Sequence, residues 1–331
     1  MRYELRDTGY GMRDMRCVIR DAGSGIHSAH LASRYSHPAS RISYRATRMV
    51  MIMTRSLCSA ISLVGLLLPL GVGFEALAEE KVQESETELA KKTQNPVADL
   101  ISIPLQNRMN FGIGPNHRTQ NILNFQPVVP ISLNSEWNVI TRTIMPIIKQ
   151  PDIATTNDNT WGIGSTLFTA LLSPANSGQV IWGAGPAIQI PTTTDDQLGS
   201  RKWGAGPSVV VLTMQGHWVY GAIANQVWSI GGNNDRPNTS TFFTNAFINY
   251  NLSDGWYLTS SPIITADWEA SNGHKWTVPV GGGFCKIQRI GGLPFNLSVA
   301  AYENVVRPDP GADWELRLSI ALLLPKSIFT K

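Results

Sequence analysis

The sequence predicts an all-β protein, a twelve-stranded antiparallel transmembrane β-barrel. The pentapeptide Trp-Gly-Ala-Gly-Pro begins at Trp182 and occurs again at Trp203. In the second copy, alternate residues from Trp203 to Thr213 carry no charge, as expected for a strand with one apolar face. Long strands with Trp at their ends and Gly on the second face are typical of transmembrane barrels.

A helical membrane protein is excluded for the part of the chain after Ala78. That part has no run of about 18 apolar residues, the minimum for a membrane helix. Only a closed barrel then satisfies the backbone hydrogen-bonding groups within a bilayer.

The first 78 residues have the composition of a leader. Residues 1–52 are rich in Arg and Ser and are predicted to be an over-long start assignment, with a transit peptide or a disordered basic arm as the alternative. Residues 53–78 are predicted to be a signal peptide, with Arg55 as its charged start and an apolar segment from Ile61 to Phe74. The small residues around Ala76 predict cleavage after Ala78 and export of the remainder.

This leader accounts for the basic character of the chain. The whole sequence has a net charge of +3, but residues 1–78 carry ten Lys or Arg and five Asp or Glu, which leaves −2 for residues 79–331. We therefore expect no nucleic-acid partner. After cleavage only Cys285 would remain, so no intramolecular disulfide is expected.

Residues 79–97 form a charged segment with a thin apolar stripe that includes Leu89 and Ala90. We expect a solvated periplasmic tail here. A plug or partner helix is the alternative.

Alternation and turn residues predict twelve strands within a barrel of residues 98–326. The predicted ranges are 99–111, 120–132, 136–149, 160–172, 178–191, 202–214, 217–230, 240–252, 256–267, 274–288, 294–305 and 313–325. Short connections such as Gln215-Gly216 alternate with longer polar ones such as Thr192 to Arg201. This pattern is how outer-membrane barrels are built, and it places both ends of the barrel on the periplasmic side.

The ten Trp residues predict an aromatic girdle. Nine lie near predicted strand ends, and Trp182 is expected to lie deeper. Indole rings prefer the membrane–water interface. Buried core Trp residues of a β-sandwich are the alternative.

The last strand shows the clearest two-faced pattern. Leu316, Leu318 and Ile320 alternate with charged or small residues and are predicted to face lipid, because Arg at the bilayer midplane costs about 2–4 kcal/mol. Because of the same cost, the arginines in the predicted strands are expected to point into the barrel lumen. The predicted pore-lining residues are Arg108, Arg142, Glu315, Arg317, Asn124, Gln126, Asn245 and Asn249, with Asn110 and Asn304 as further inward candidates. The arginines either brace the wall as an ion-pair network or form a positive constriction.

Other chemistries have weak sequence support. Residues His117, His217 and His274 give no same-face pair with Ser at strand spacing, so no catalytic residue is predicted. The glycines 281–283 lack the Lys and the helix of a phosphate loop, and no cofactor is expected. Loop acids at Asp195, Asp196, Asp309 and Asp313 are expected to be solvated rather than to bind Ca²⁺.

Several short stretches resemble a Gram-negative family of outer-membrane proteins labelled as phenol meta-pathway proteins or transporters, often mislabelled neuromedin U. The stretches are Gln126 to Pro130, Thr141 to Thr143, Trp182 to Pro186, Gly216 to Trp218, Asn249 to Leu252, Asp254 to Leu258 and Gly311 to Trp314. The resemblance covers residues 98–326 and implies an outer-membrane barrel with a transport role. It supplies no catalytic or binding residues. The chain departs from the family pattern after Lys326, where five more residues follow.

Together these features predict passive passage of small molecules through a narrow lumen, with aromatic or hydrophobic compounds suggested by the resemblance. Twelve strands enclose less space than the 16–18 of wide porins. The expected partners are the outer-membrane bilayer and a small solute. A lipid-acting enzyme and a structural barrel with a blocked lumen are the alternatives.

Overall fold

The computed structural model describes residues 85–95, 100–154 and 158–326. The predicted leader, signal peptide and cleavage site lie outside these residues. No helix in the described ranges has the length and apolar character of a membrane span.

One α-helix, a 3-10 helix at Asp196–Leu198 and fifteen strand segments form the described structure. The α-helix and the strands are α1 (Glu86–Thr93), β1 (Leu100–Ile113), β2 (Arg118–Phe125), β3 (Val128–Ser132), β4 (Trp137–Pro151), β5 (Asn159–Ile163), β6 (Thr166–Pro174), β7 (Val180–Ile190), β8 (Lys202–Gln215), β9 (Trp218–Gly232), β10 (Ser240–Asn251), β11 (Trp256–Ser260), β12 (Ile263–Asp267), β13 (Trp276–Ile290), β14 (Leu293–Val306) and β15 (Trp314–Pro325).

Three of the barrel strands are interrupted by a short break. β2 and β3 both pair with β4, and so do β5 and β6, while β11 and β12 both pair with β10. Two of the breaks contain a proline, Pro127 and Pro262, which cannot donate to the strand ladder. Each interrupted pair continues as one strand, so the fifteen segments make twelve barrel strands.

The sheet closes on itself because β1 pairs with the whole length of β15, from Leu100↔Pro325 to Phe111↔Trp314. All neighbouring strands are antiparallel. This confirms the predicted twelve-stranded antiparallel barrel. No observed strand end differs from its predicted position by more than two residues.

The two copies of the repeat lie on adjacent strands, β7 and β8. Pro186 and Pro207 stand directly opposite each other, and Trp182 pairs with Val211. The repeat is thus two antiparallel copies of one segment placed side by side.

The glycines of β13 lie where neighbouring backbones approach closely. A Cβ atom on Gly281 would sit 2.0 Å from the carbonyl oxygen of Ala301, and one on Gly283 would sit 1.9 Å from that of Val299. Both glycines are therefore structural, as expected for glycines on a strongly curved strand.

The outer face of the barrel is apolar. On β8, Val209 and Val211 are about half exposed (49% and 48%), whereas Val210 and Leu212 are 2% exposed. The exposed pair belongs to the uncharged face that the sequence predicted. No other described part of the protein packs on these outward apolar side chains, so they are suited to contact with lipid.

Trp side chains form bands at both rims of this face. Trp268 and Trp276 meet at the long-loop rim with ring centroids 5.3 Å apart. Trp137 and Trp182 meet at the short-turn rim at 6.2 Å. The expectation that Trp182 lies deeper is wrong, because β7 starts only two residues earlier, at Val180.

Part of the lumen is filled with apolar side chains. A buried cluster on the inner faces of five strands consists of Ile140, Leu171, Ile181, Val210, Leu212, Val219 and Ile223. Phe243 and Phe247 of β10 pack against it. The interior is therefore divided into an apolar side and a polar side.

The helix α1 packs against the inner wall, so residues 85–95 do not form a solvated tail. Ser85 caps the helix by accepting from the amide of Glu88, as N-cap serines do. Leu89 and Ala90 are 4% and 1% exposed and contact a cluster that includes Cys285 and Ile287. The thin apolar stripe is thus enough to dock the helix.

Candidate pore lining

The polar side of the lumen is built from layers of side chains on β1, β2, β4 and β15. Nearest the long loops, Asn110 Nδ2 donates to Gln120 Oε1 at 2.8 Å, and Gln120 Nε2 donates to Gln150 Oε1 at 2.5 Å. This amide ladder links β1, β2 and β4 across the inner wall. Asn110 was predicted to face inward, while its partners Gln120 and Gln150 were not recognised.

The next layer is an ion-pair triad. Glu315 Oε2 accepts from Arg108 Nε at 2.8 Å and from its Nη2 at 2.5 Å, while Glu315 Oε1 accepts from Arg317 Nε at 2.7 Å. Glu315 and Arg317 are 4% and 6% exposed. One carboxylate therefore binds two guanidinium groups, and the triad carries a net positive charge.

Arg317 also reaches across the lumen. Its Nη1 donates to the carbonyl oxygen of Ser261 at 2.8 Å, in the break between β11 and β12. Its guanidinium carbon lies 4.4 Å from the ring centroid of Tyr302, which is a cation–π contact. Asn245 Nδ2 donates to the same Ser261 carbonyl at 3.0 Å. Since β13 and β14 separate this break from β15, the contacts form a bridge inside the barrel.

Arg142 belongs to a third layer. Its Nη2 donates to Gln126 Oε1 at 2.8 Å, and Gln126 Nε2 donates to Gln106 Oε1 at 3.2 Å. Within the described ranges Arg142 makes no ion pair. The three predicted arginines are thus not one cluster, because Arg142 has a neutral amide partner while the other two share Glu315.

The predicted asparagines also face inward. Asn124 is buried and stands opposite Gln106, on the face that β1 and β2 turn to the lumen. Asn249 is 6% exposed, and its buried Oδ1 has no hydrogen-bond partner among the described residues. Asn304 donates from Nδ2 to the carbonyl oxygen of Ala312 at 2.9 Å, near the long loops. Whether these residues line a conducting path stays a prediction.

A cavity of about 290 Å³ lies between the polar layers and the apolar cluster. Arg142, Arg317 and Asn249 line its polar side, and Ile140 and Phe247 line its apolar side. The end of α1, residues 92–95, lines the cavity as well. We call this space the lumen chamber.

The helix α1 is tied to the short-turn rim by two polar contacts. Gln94 Nε2 donates to Asn251 Oδ1 at 2.7 Å, and Asn251 Nδ2 donates back to Gln94 Oε1 at 3.4 Å. Lys286 Nζ lies 3.8 Å from Glu86 Oε2. The helix therefore forms the floor of the lumen chamber on the side that carries the short turns.

The residues of the alternative sites have other partners. His217 Nδ1 donates to the carbonyl oxygen of Asn251 at 2.8 Å, and His274 Nδ1 accepts from the amide of Asp309 at 3.4 Å. Asp196 pairs with Arg201 at 2.8 Å, and Asp313 pairs with Arg307. In the part of the chain that the structure describes, no three His, Cys, Asp or Glu residues are grouped as metal ligands.

Comparison with known proteins supports the fold. No family model matches the chain, and no curated protein matches it. Among solved structures, an outer-membrane channel from Pseudomonas putida F1 matches with a TM-score of 0.53 and 14% identity, over 68% of this chain and 94% of that chain. CdiB from Acinetobacter baumannii matches over 68% of this chain and 60% of that chain, at 11% identity and a TM-score of 0.34, too low to carry an argument. The first likeness shows a shared barrel fold.

Proposed function

We propose that the protein is an outer-membrane channel that gives small molecules passive passage through a narrow lumen, without a catalytic step. The observation that carries the proposal is a closed barrel with an apolar exterior and three polar layers inside. Polar side chains are costly inside a barrel unless they serve a path or brace the wall. The similar barrel from Pseudomonas putida F1 is an outer-membrane channel, which supports the same role here.

The orientation follows from the connections. Outer-membrane barrels place short turns in the periplasm and long loops outside. In this orientation α1 and both ends of the barrel lie on the periplasmic side, consistent with export by a signal peptide in residues 53–78. Solute entering from outside would first pass the amide ladder and then the triad of Arg108, Glu315 and Arg317.

We further propose a weak preference for anions. Three inward arginines face one inward carboxylate, Glu315, in the described pore lining. Rings of positive side chains select anions at a pore constriction. This local charge would outweigh the net charge of −2 that residues 79–331 carry. We also propose that the transported solutes are aromatic or hydrophobic compounds. In this proposal the protein belongs to the phenol meta-pathway family.

Reversal potentials in planar bilayers under a salt gradient test the proposal. Wild-type protein should conduct in small steps and show a reversal potential on the anion side. The double substitution Arg142→Ala with Arg317→Ala should reduce that potential toward zero, and Arg307→Ala, in an outer loop, is the matched control. Cation preference in the wild type, or no change in the double variant, would remove these arginines from the mechanism.

A structural barrel with a blocked lumen is the second candidate. It is favoured by the position of α1 and by the apolar cluster that fills one side of the interior. Absence of conductance, both in the wild type and in a variant with a weakened α1 contact, would support it.

A further inference from the structure

The lumen chamber has one apolar wall and one polar wall. Ile140, Leu171, Ile223 and Phe247 form the apolar wall, and all four belong to the buried apolar cluster or pack on it. Serines and amides of β1, β14 and β15, among them Ser298 and Ser319, stand on the polar wall. A ligand that satisfies both walls must be amphipathic.

Among the described residues, the charged side chains that line the chamber are all positive. They are Lys92, Arg142 and Arg317, and no described lining residue is Asp or Glu. The carbonyl end of α1 adds a partial negative charge, which Lys91 and Lys92 in its last turn offset. The chamber therefore favours a ligand with a negative charge over a neutral or cationic one.

Two lining residues have buried polar atoms with no hydrogen-bond partner in the part of the chain that the structure describes. They are Arg317 Nη2, a donor, and Asn249 Oδ1, an acceptor. A buried donor without a partner destabilises the folded protein, and a charged donor does so more strongly. Arg142 offers further donors, since its described partner is a neutral amide. An acceptor with negative charge at this point would remove the cost on Arg317.

The size of the chamber limits the ligand. Its volume of about 290 Å³ is at the lower end of pockets for small molecules, which range over about 300–1,000 Å³. A compound with one ring or a short alkyl chain fits this volume. An intact phospholipid does not.

We propose that the lumen chamber is a binding site for small amphipathic monocarboxylates. The carboxylate binds Arg142 and Arg317, and the ring or alkyl body packs on Ile140, Ile223 and Phe247. This binding site would define the solute class of the proposed channel. It depends on the proposed function only where the chamber is treated as part of the conducting path.

Calorimetric titration of the purified full chain in detergent tests the site without a membrane. Benzoate and hexanoate should bind saturably. Benzamide, which keeps the ring without the charge, and acetate, which keeps the charge without the body, should bind at least tenfold more weakly. Equal affinity for benzamide and benzoate, or no saturable binding of either carboxylate, would overturn the proposal.

Variants locate the site. Arg142→Gln should weaken benzoate binding at least tenfold, while Arg142→Lys, which keeps the charge, should retain part of it. Phe247→Ser should weaken benzoate more than acetate, because it removes only apolar contact. Arg289→Gln, near the end of β13 and outside the chamber lining, is the matched control and should bind as the wild type does. Folding of each variant is checked by its heat-dependent gel mobility.

The binding result is independent of the conductance result. Saturable benzoate binding in a protein that does not conduct would keep the site and overturn the channel. Conductance without benzoate binding would keep the channel and overturn the site. Unchanged benzoate affinity in a folded Arg142→Gln protein would also overturn the site.

Discussion

Arg108 and Arg317 stand directly opposite each other on the adjacent strands β1 and β15, with Glu315 bonded to both. Two like charges at opposite positions of a strand pair destabilise it unless a counter-charge is present. This counter-charge lies at the seam where the first and last strands of the barrel meet. The triad therefore stabilises barrel closure as well as shaping the lumen.

The substitution Glu315→Gln should destabilise the barrel by about 3–5 kcal/mol, since it leaves buried guanidinium groups without their carboxylate. The same change should increase anion preference, because one negative charge is lost from the lumen. Urea unfolding and reversal potentials measure the two effects. Glu269→Gln, in an exposed loop, is the control and should alter neither. Unchanged stability in Glu315→Gln would show that the triad is not needed for closure.

The outward and inward faces of β15 should respond oppositely to charge. Leu318→Arg and Ile320→Arg should each impair folding by about 2–4 kcal/mol, the cost of Arg in the lipid core. Ser319→Arg should be tolerated much better, because Ser319 lines the lumen chamber. Folding yield into detergent micelles measures the difference. If Ser319→Arg were the damaging change, the register of the strand would be inverted.

Weakening α1 should open the lumen. Burial of Leu89 contributes about 1.5–3 kcal/mol to docking of the helix, and Leu89→Asp would remove it and bury a carboxylate. We expect larger single-channel conductance in this variant. Glu88→Gln, on the exposed side of the helix, should leave conductance unchanged. Equal conductance in Leu89→Asp and wild type would mean that α1 does not obstruct the path.

Processing of the leader can be checked directly. The mature protein should begin at Glu79, because the residues around Ala78 fit a signal-peptide cleavage site. N-terminal sequencing of membrane-extracted protein gives the answer. Retention of Arg2 to Arg48 in that protein would contradict the signal-peptide prediction.

The strands could be predicted because alternation and turn residues act locally. The lumen contacts could not, since they depend on which strands face each other across the barrel. Arg317 and Ser261 are 56 positions apart, and nothing near Ser261 marks it as a partner. The apolar cluster was missed for a different reason. Val209 to Leu212 is a continuous apolar run, and period-2 reading cannot tell that its two faces enter lipid and lumen.

The helix α1 shows how far composition can mislead. Half of its residues are charged, which favoured a solvated tail. Only Leu89 and Ala90 are buried in it, yet they meet a complementary apolar surface inside the barrel. Such a surface is created by the closed fold and leaves no local signal in residues 79–97.

The position of Cys285 makes it a native probe of whether α1 is docked on the barrel wall. Cys285 is 4% exposed and lies in the cluster that holds Leu89 of α1. A cysteine reacts as its thiolate, and an alkylating reagent must reach the sulfur. Cys17 and Cys58 lie in the predicted leader, so no second thiol of the processed chain would compete. The alkylation rate of Cys285 would then rise with the fraction of time that α1 spends away from the barrel wall. No engineered label is needed for this measurement.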